Sequence, residues 1–301
     1  MKFLKRLFTF LIVAAILCST ALGQPAGLRS AIDGILRRAS GHIGIAIIGP
    51  GTGDTLTFNG NDRFPMQSVF KFPLALAVLD RVDQGTFSLD QRIHLTKDQL
   101  TPNTWSPLRD KYPEANVDVT LNELLSYTVS KSDNNGCDIL FGLIGGPGVV
   151  NRYIHAQGEQ DISIVATEAE MHMDWSVQFR NWSSPSAMAL LLQKFWNGDI
   201  LSRTSTAYLR KLMTGTTTGP NKLKGLLPAE AVVAHKTGYS GTDSKGTTAA
   251  TNDVGVVIFP DGRYFIIAVF VSNSSADEKT NDAVIAQIAR AAWDAFSGAS
   301  H

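Results

Sequence analysis

Cysteine is nearly missing from these 301 residues, with only Cys18 and Cys137 present. Histidine is sparse and scattered. His42, His94, His155, His172, His235 and His301 form no His-x-His or His-x-x-x-His pair, so neither a metal site nor any cofactor is expected. Excess charge is lacking as well: 27 basic residues face 27 acidic ones, which argues against nucleic acid or an anionic membrane as a partner. There are no repeats and no low-complexity tracts. Long apolar runs are limited to residues 7–17, which follow Lys2, Lys5 and Arg6 and precede Ala21-Leu22-Gly23. That is the pattern of a secretory signal peptide over residues 1–23, short for a membrane span. Cleavage near Gly23/Gln24 is expected to release a periplasmic chain with no stable membrane association. It would keep 24 basic and 27 acidic residues, a net charge of −3. Cys18 would suit a lipid anchor only if a small residue preceded it, and Leu17 does. Cys137 then remains alone, so no internal disulfide is available. It shares a helical face with Leu140, Phe141 and Ile144, the setting of a buried core thiol.

What is present is enough apolar residue, 44%, to bury a large core. Helical spacing runs over residues 27–39, and strand-like runs over 43–48 and 55–58 follow, separated by a Gly/Pro-rich hairpin turn. The middle of the chain is helical. Thr120-Leu-Asn-Glu123 reads as a capping box, and further helices are expected at 136–144, 149–156, 186–196 and 204–213. Strands return at 232–235, 254–259 and 264–271, and an amphipathic helix closes the chain at 280–296. The order implies an α+β fold in which both chain ends build one mixed sheet-and-helix layer. Residues 24–60 and 215–301 form that domain, and residues 61–214 an inserted all-helical domain.

The stretch Gln67-Ser68-Val69-Phe70-Lys71-Phe72-Pro73, leading into Leu74-Ala75-Leu76-Ala77-Val78-Leu79, carries the first chemical signal. It reads as a buried helix starting at or just before Ser68. Pro73 is tolerated in its first turns. Residues three apart share a helix face, so the Lys71 amine lies beside the Ser68 hydroxyl. A serine is a weak nucleophile until a neighbouring base takes its proton, and a lysine in apolar surroundings can do so. Two further motifs follow in order: Ser132-Asp133-Asn134 at a polar corner between helices, and Lys236-Thr237-Gly238 at the end of a strand. Together they supply what acyl transfer needs, namely a nucleophile, a proton donor, a cation for a substrate carboxylate and oxyanion donors.

The set resembles the serine β-lactamases and penicillin-binding proteins. Glu168, in Thr167-Glu168-Ala169-Glu170, resembles the loop glutamate by which class A β-lactamases hydrolyse their acyl-enzyme, a residue that penicillin-binding proteins lack. Spacing from Ser132 favours Glu168 over Glu170. Gln67 before the nucleophile, and His172 where most relatives have asparagine, resemble the extended-spectrum cephalosporinase branch. The resemblance implies a β-lactam as the small-molecule partner, a monomer, and a cleft between the two domains. Ser68 would attack, with Lys71 or a Glu168-held water as proton acceptor. The Ser68 and Tyr239 N–H groups would form the oxyanion hole, and Ser132 would protonate the leaving nitrogen. Lys236 and Thr237, with Gly238 beside them, would hold the substrate carboxylate, and Asn134 would orient Lys71 and the substrate amide. Glu168 would activate the deacylating water, and His172 would support the loop. Trp105 reads either as a cleft wall or as a packing residue beside Pro107.

Two departures stand out. Tyr239 replaces the usual serine or threonine, so only its N–H remains to serve the oxyanion. Lys222 replaces a common arginine, which exchanges a bidentate fork for a point charge. Two rival readings are weaker. A peptidoglycan carboxypeptidase would lack Glu168 and would be expected to carry an anchor after Trp293. A non-catalytic scaffold would be expected to have lost Ser68, Lys71, Ser132, Glu168 or Lys236.

Overall fold

The computed structural model describes residues 27–51 and 54–298. The signal-peptide reading, Cys18 and two residues of the expected hairpin turn lie outside the described residues. In chain order the elements are α1 (Leu28–Leu36), β1 (His42–Ile48), β2 (Thr55–Phe58) and β3 (Phe64–Pro65), then a 3-10 turn (Gln67–Phe70) running into α2 (Lys71–Asp83). Next come β4 (Arg92–Leu95), α3 (Pro107–Lys111), β5 (Val117–Thr120), α4 (Leu121–Ser130), α5 (Asn134–Ile144) and α6 (Pro147–Ala156). They are followed by β6 (Ile162–Ser163), α7 (Glu168–Met173), β7 (Trp182–Ser183), α8 (Pro185–Asn197) and α9 (Arg203–Thr214). The chain ends with β8 (Val232–Tyr239), β9 (Thr248–Ile258), β10 (Tyr264–Ser274) and α10 (Glu278–Ser297).

Both ends of the chain meet in one five-stranded antiparallel sheet, ordered β2-β1-β10-β9-β8. Strand alternation divides its residues between two cores. Ile43, Ile45 and Ile47 of β1, with Phe265, Ile267 and Val269 of β10, pack on α1 and α10. Ala46, Ile266, Ala268 and Phe270 face the helical region instead. There α2 is buried along its length from Lys71 to Leu79, as a helix apolar on all sides must be. Each of its fully buried leucines contributes roughly 1.5–3 kcal/mol by leaving water. Phe70 stacks on Phe141 of α5, and Phe72 meets Phe195 of α8 edge-on. Cys137 is buried among them, and burial pushes its thiol well above the ordinary range.

Several elements differ from the sequence reading. The helical region also carries short strands, β4 paired with β5 and β3-β7-β6 in a second small sheet. These are only two to four residues long and too brief for a period-2 signal. β9 starts at Thr248 rather than 254, because Thr251, Asn252 and Asp253 are polar yet wholly buried. β8 does not stop at His235 but continues through the Lys-Thr-Gly motif to Tyr239. The Thr120 box is half formed. The Thr120 hydroxyl accepts from the Glu123 N–H, while the Glu123 carboxylate turns to Lys111 and Tyr112.

Candidate active site

Ser68 lies in the 3-10 turn and not in the α-helix proper. Three residues per turn eclipse positions i and i+3, which sets Lys71, the first residue of α2, over Ser68 at Nζ–Oγ 2.8 Å. The turn is strained at its entrance, where Gln67 has φ 48°. A non-glycine residue there costs on the order of 1–3 kcal/mol, and the surroundings must hold it in place. The Gln67 side chain donates to Gln178, and Asn252 of β9 donates to the carbonyls of Pro65 and Met66 just before the turn.

Lys71 is fully buried and surrounded by acceptors. Besides Ser68, its Nζ reaches the Ser132 carbonyl at 2.9 Å, Asn134 Oδ1 at 2.6 Å and Glu168 Oε1 at 2.8 Å. Glu168 Oε1 also accepts from the Ser68 hydroxyl at 3.3 Å. Serine, lysine and glutamate thus form one connected set, in which the Ser68 hydroxyl points its proton at the Glu168 carboxylate with Lys71 Nζ alongside. Asn134 opens α5, and its amide N–H₂ donates to Thr104. Asp133 caps that helix by accepting from the Gly136 N–H, and it also accepts from the Leu108 N–H and the Ser106 hydroxyl. One carboxylate therefore joins the Ser-Asp-Asn corner to the loop that carries Trp105.

Ser132 is the second strained residue, with φ 58°. Its hydroxyl accepts a hydrogen bond from Lys236 Nζ at 2.8 Å. Lys236 also donates to the Thr237 carbonyl. Burial, with the Lys71 charge nearby, holds its ammonium well below the ordinary lysine range. Behind it, on the other side of β8, His235 bonds Asp253 of β9. Gly238 is needed for space, because a Cβ there would stand 2.5 Å from the Met66 carbonyl. The strand can approach the Ser68 turn only because that atom is missing. Thr237 Oγ1 lies 2.6 Å from Thr218 Oγ1, a partner the sequence reading did not name. Lys222 is buried against Asp282.

Glu168 begins α7, a six-residue helix where the resemblance implies a loop. Thr167 and Glu170 form a complete capping box across its first turn, so Glu170 faces its own backbone and not the cleft. Asp138 of α5 accepts from the N–H groups of both Glu168 and Ala169, at 2.8 and 2.9 Å. Burial raises its carboxyl to about 6. Sequence reasoning missed this residue. The available signal was a lone acid, four residues after Asn134, in the apolar run of α5.

Two cavities, of about 480 and about 400 Å³, share Ser68, Trp105, Asn134 and Tyr239. Trp105 is 60% exposed on their rim, its indole N–H donating to the Lys131 carbonyl, so it lines the cleft and is not a core packing residue. Tyr239 and Trp175 form other parts of that rim, each about 40% exposed. His172, expected to support the loop, instead lies exposed and lines the larger of the two cavities. A roomier cavity of about 750 Å³, between β1, β2 and α8, holds none of the motif residues.

Residues 27–296 match the Beta-lactamase enzyme family. The chain is 43% identical to Beta-lactamase VEB-1 of Pseudomonas aeruginosa, over 98% of this chain and 99% of that protein. It is 46% identical to Extended-spectrum beta-lactamase PER-1 of Pseudomonas aeruginosa, over 88% and 86%. Among solved structures, the TLA-1 extended spectrum β-lactamase superposes with TM-score 0.88 at 49% identity, covering 91% of this chain and 99% of that one. A chain assembled around this serine, and similar end to end to these enzymes, belongs to the class A β-lactamases, close to the VEB-1, PER-1 and TLA extended-spectrum members.

Proposed function

We propose that this β-lactamase opens penicillins and cephalosporins through a covalent ester on Ser68. Ser68 Oγ attacks the lactam carbonyl while its proton passes to Lys71 or, through a water, to Glu168. The developing oxyanion is held by the N–H groups of Ser68 and Tyr239. The ring nitrogen departs as it takes a proton from Ser132, whose hydroxyl is resupplied along its contact with Lys236. Lys236 and Thr237 hold the substrate carboxylate at the same end of the cleft. Water activated by Glu168 then attacks the ester and frees Ser68. The observation that carries this reading is that Glu168 Oε1 reaches both Lys71 Nζ and Ser68 Oγ, at 2.8 and 3.3 Å. One carboxylate can therefore serve both halves of the cycle. The enzyme acts as an exported, periplasmic monomer.

The test is intact-protein mass spectrometry of the purified mature chain after brief exposure to a slowly hydrolysed cephalosporin. A transient adduct on Ser68, lost in Ser68→Ala, is expected, and turnover should persist in EDTA. Turnover that stops with chelation and returns with zinc would rule out the serine route.

A further inference from the structure

A cavity of about 330 Å³ lies against α5 and shares no lining residue with the cleft. Asn135, Asp138, Ile139 and Gly142 stand at i, i+3, i+4 and i+7, so they form one face of α5, and that face lines the cavity. An added Cβ at Gly142 would meet nothing within 4 Å. Glycine inside a helix is less stable than alanine, and no neighbour requires it here, so what its missing side chain does is leave the space open. Ile93, Ile139 and Leu143 give the cavity an aliphatic wall, Asp98 and Asp138 give it two carboxylates, and no basic side chain lines it. Asn135 is spent on Thr101, exchanging hydrogen bonds with its hydroxyl and its carbonyl, and Gln99 Oε1 accepts from the Thr96 N–H. Asp138 uses one lone pair on each oxygen for the N–H groups of Glu168 and Ala169 and keeps the others. The last turn of α5, beside Gly142, has no basic side chain to meet its dipole.

We propose that this cavity is a binding site for a small amphiphilic cation, a primary ammonium carrying one aromatic ring or a short alkyl chain. The ammonium donates to Asp138 and faces Asp98, and the apolar part lies against Ile93, Ile139 and Leu143. A charge-assisted bond to a half-buried carboxylate favours the amine over a neutral molecule of the same shape. An anion would meet two negative charges and no positive one. The volume admits a single ring, at the small end of ligand pockets. Asp138 joins the site to α7, since the same carboxylate that receives the cation holds the first N–H groups of that helix. The site does not depend on the reaction assigned to Ser68.

The test titrates phenethylamine, 2-phenylethanol and 3-phenylpropionate separately into the isotope-labelled mature protein at about pH 8 and follows amide shifts by NMR. With the amine, saturating shifts around Asp98, Ile139 and Gly142 are expected, at an affinity about tenfold or more above that of the alcohol. The propionate should not bind. Asp138 is faced by Glu168 and the Ala169 N–H of α7, by the Lys71 charge of α2 and, across the cavity, by Asp98. A hydrogen bond from Thr96 holds Asp98 below the ordinary carboxylate range, so it stays ionised. Between about pH 8 and about pH 5 the amine should therefore lose roughly three- to tenfold in affinity, as Asp138 takes up a proton near 6. Gly142→Leu fills the space without touching the cleft. It should weaken the amine about tenfold or more and keep kcat/KM for a cephalosporin within about twofold of wild type. If that variant does not fold, Asp98→Asn, at an exposed position, decides by an expected loss of about threefold. Equal affinity for amine and alcohol, shifts centred on Trp105 and Tyr239, or undiminished binding in the variant that decides overturns the proposal.

Discussion

At the scale of single residues, two carboxylates near Ser68 have different surroundings, and these predict different effects on removal. Glu168 touches Lys71 and Ser68, whereas Glu170 is occupied with the Thr167 N–H. Glu168→Ala should therefore still form the ester but lose deacylation by roughly 10²–10⁴-fold, the usual size of a general-base contribution. Glu170→Ala should lose part of a helix cap, about 1 kcal/mol, and keep turnover within tenfold. Adduct mass against time distinguishes them, and an adduct that accumulates in Glu170→Ala alone would reverse the two roles. Asp138 adds a pH dependence. Its carboxyl is raised to about 6, chiefly by burial, so the folded state holds a proton the unfolded chain has released. Its ionisation therefore subtracts stability as pH rises from about 4 through about 6, whereas the ionised form is the one that accepts both N–H bonds at α7. Deacylation should decline as pH falls through about 6, while Asp138→Asn should be slower throughout and lack that limb. A pH profile of single-turnover deacylation checks this, and an unaltered limb in the variant would assign it to another group.

At the scale of elements, the site depends on how closely β8 approaches the 3-10 turn. Gly238→Ala would place a methyl 2.5 Å from the Met66 carbonyl. Backbone would have to move, at a cost of about 1–3 kcal/mol or more, and the oxyanion position would open. A lower melting temperature together with slower acylation of Ser68 is expected, and an unaffected acylation rate would show that the strand need not lie so close. This contact also marks the limit of what the sequence could convey. The three motifs, the helical spacing of α2 and the return of strands near the C-terminus were legible because each rests on local pattern. Asp138, Asp253 and Asp282 were not, because each is an acid whose partner lies far along the chain. β9 was read six residues short because its buried polar residues, Thr251 to Asp253, serve neighbouring strands and loops and so hide the alternation. Thr120-x-x-Glu123 and Thr167-x-x-Glu170 carry the same pattern. Only the second forms both bonds, since Lys111 and Tyr112 draw Glu123 away. Tertiary competition decided between two identical local signals.

At the scale of the whole molecule, the cleft's two arms predict its spectrum. The arm of about 480 Å³ is bounded by Trp105, Trp175 and Tyr239 and extends along α7, which Glu168 begins. That is room for a bulky acyl side chain, with aromatic faces to cover it. The other arm ends at Thr237 and at the Lys222–Asp282 pair. Gln67, immediately before Ser68, directs its side chain to Gln178. Cephalosporins with large acyl groups should thus be turned over at least as well as penicillins, and carbapenems poorly. Tyr239 opposes the first expectation, because its ring replaces a hydroxyl beside the substrate carboxylate. If the aromatic wall governs, Trp175→Ala should lower kcat/KM for a bulky cephalosporin about tenfold while changing a small-chain penicillin less than threefold. Steady-state kinetics on one compound of each class would measure both effects. A wild-type preference for the penicillin of tenfold or more would mean that loss of the hydroxyl at Tyr239 outweighs the room beside Trp175.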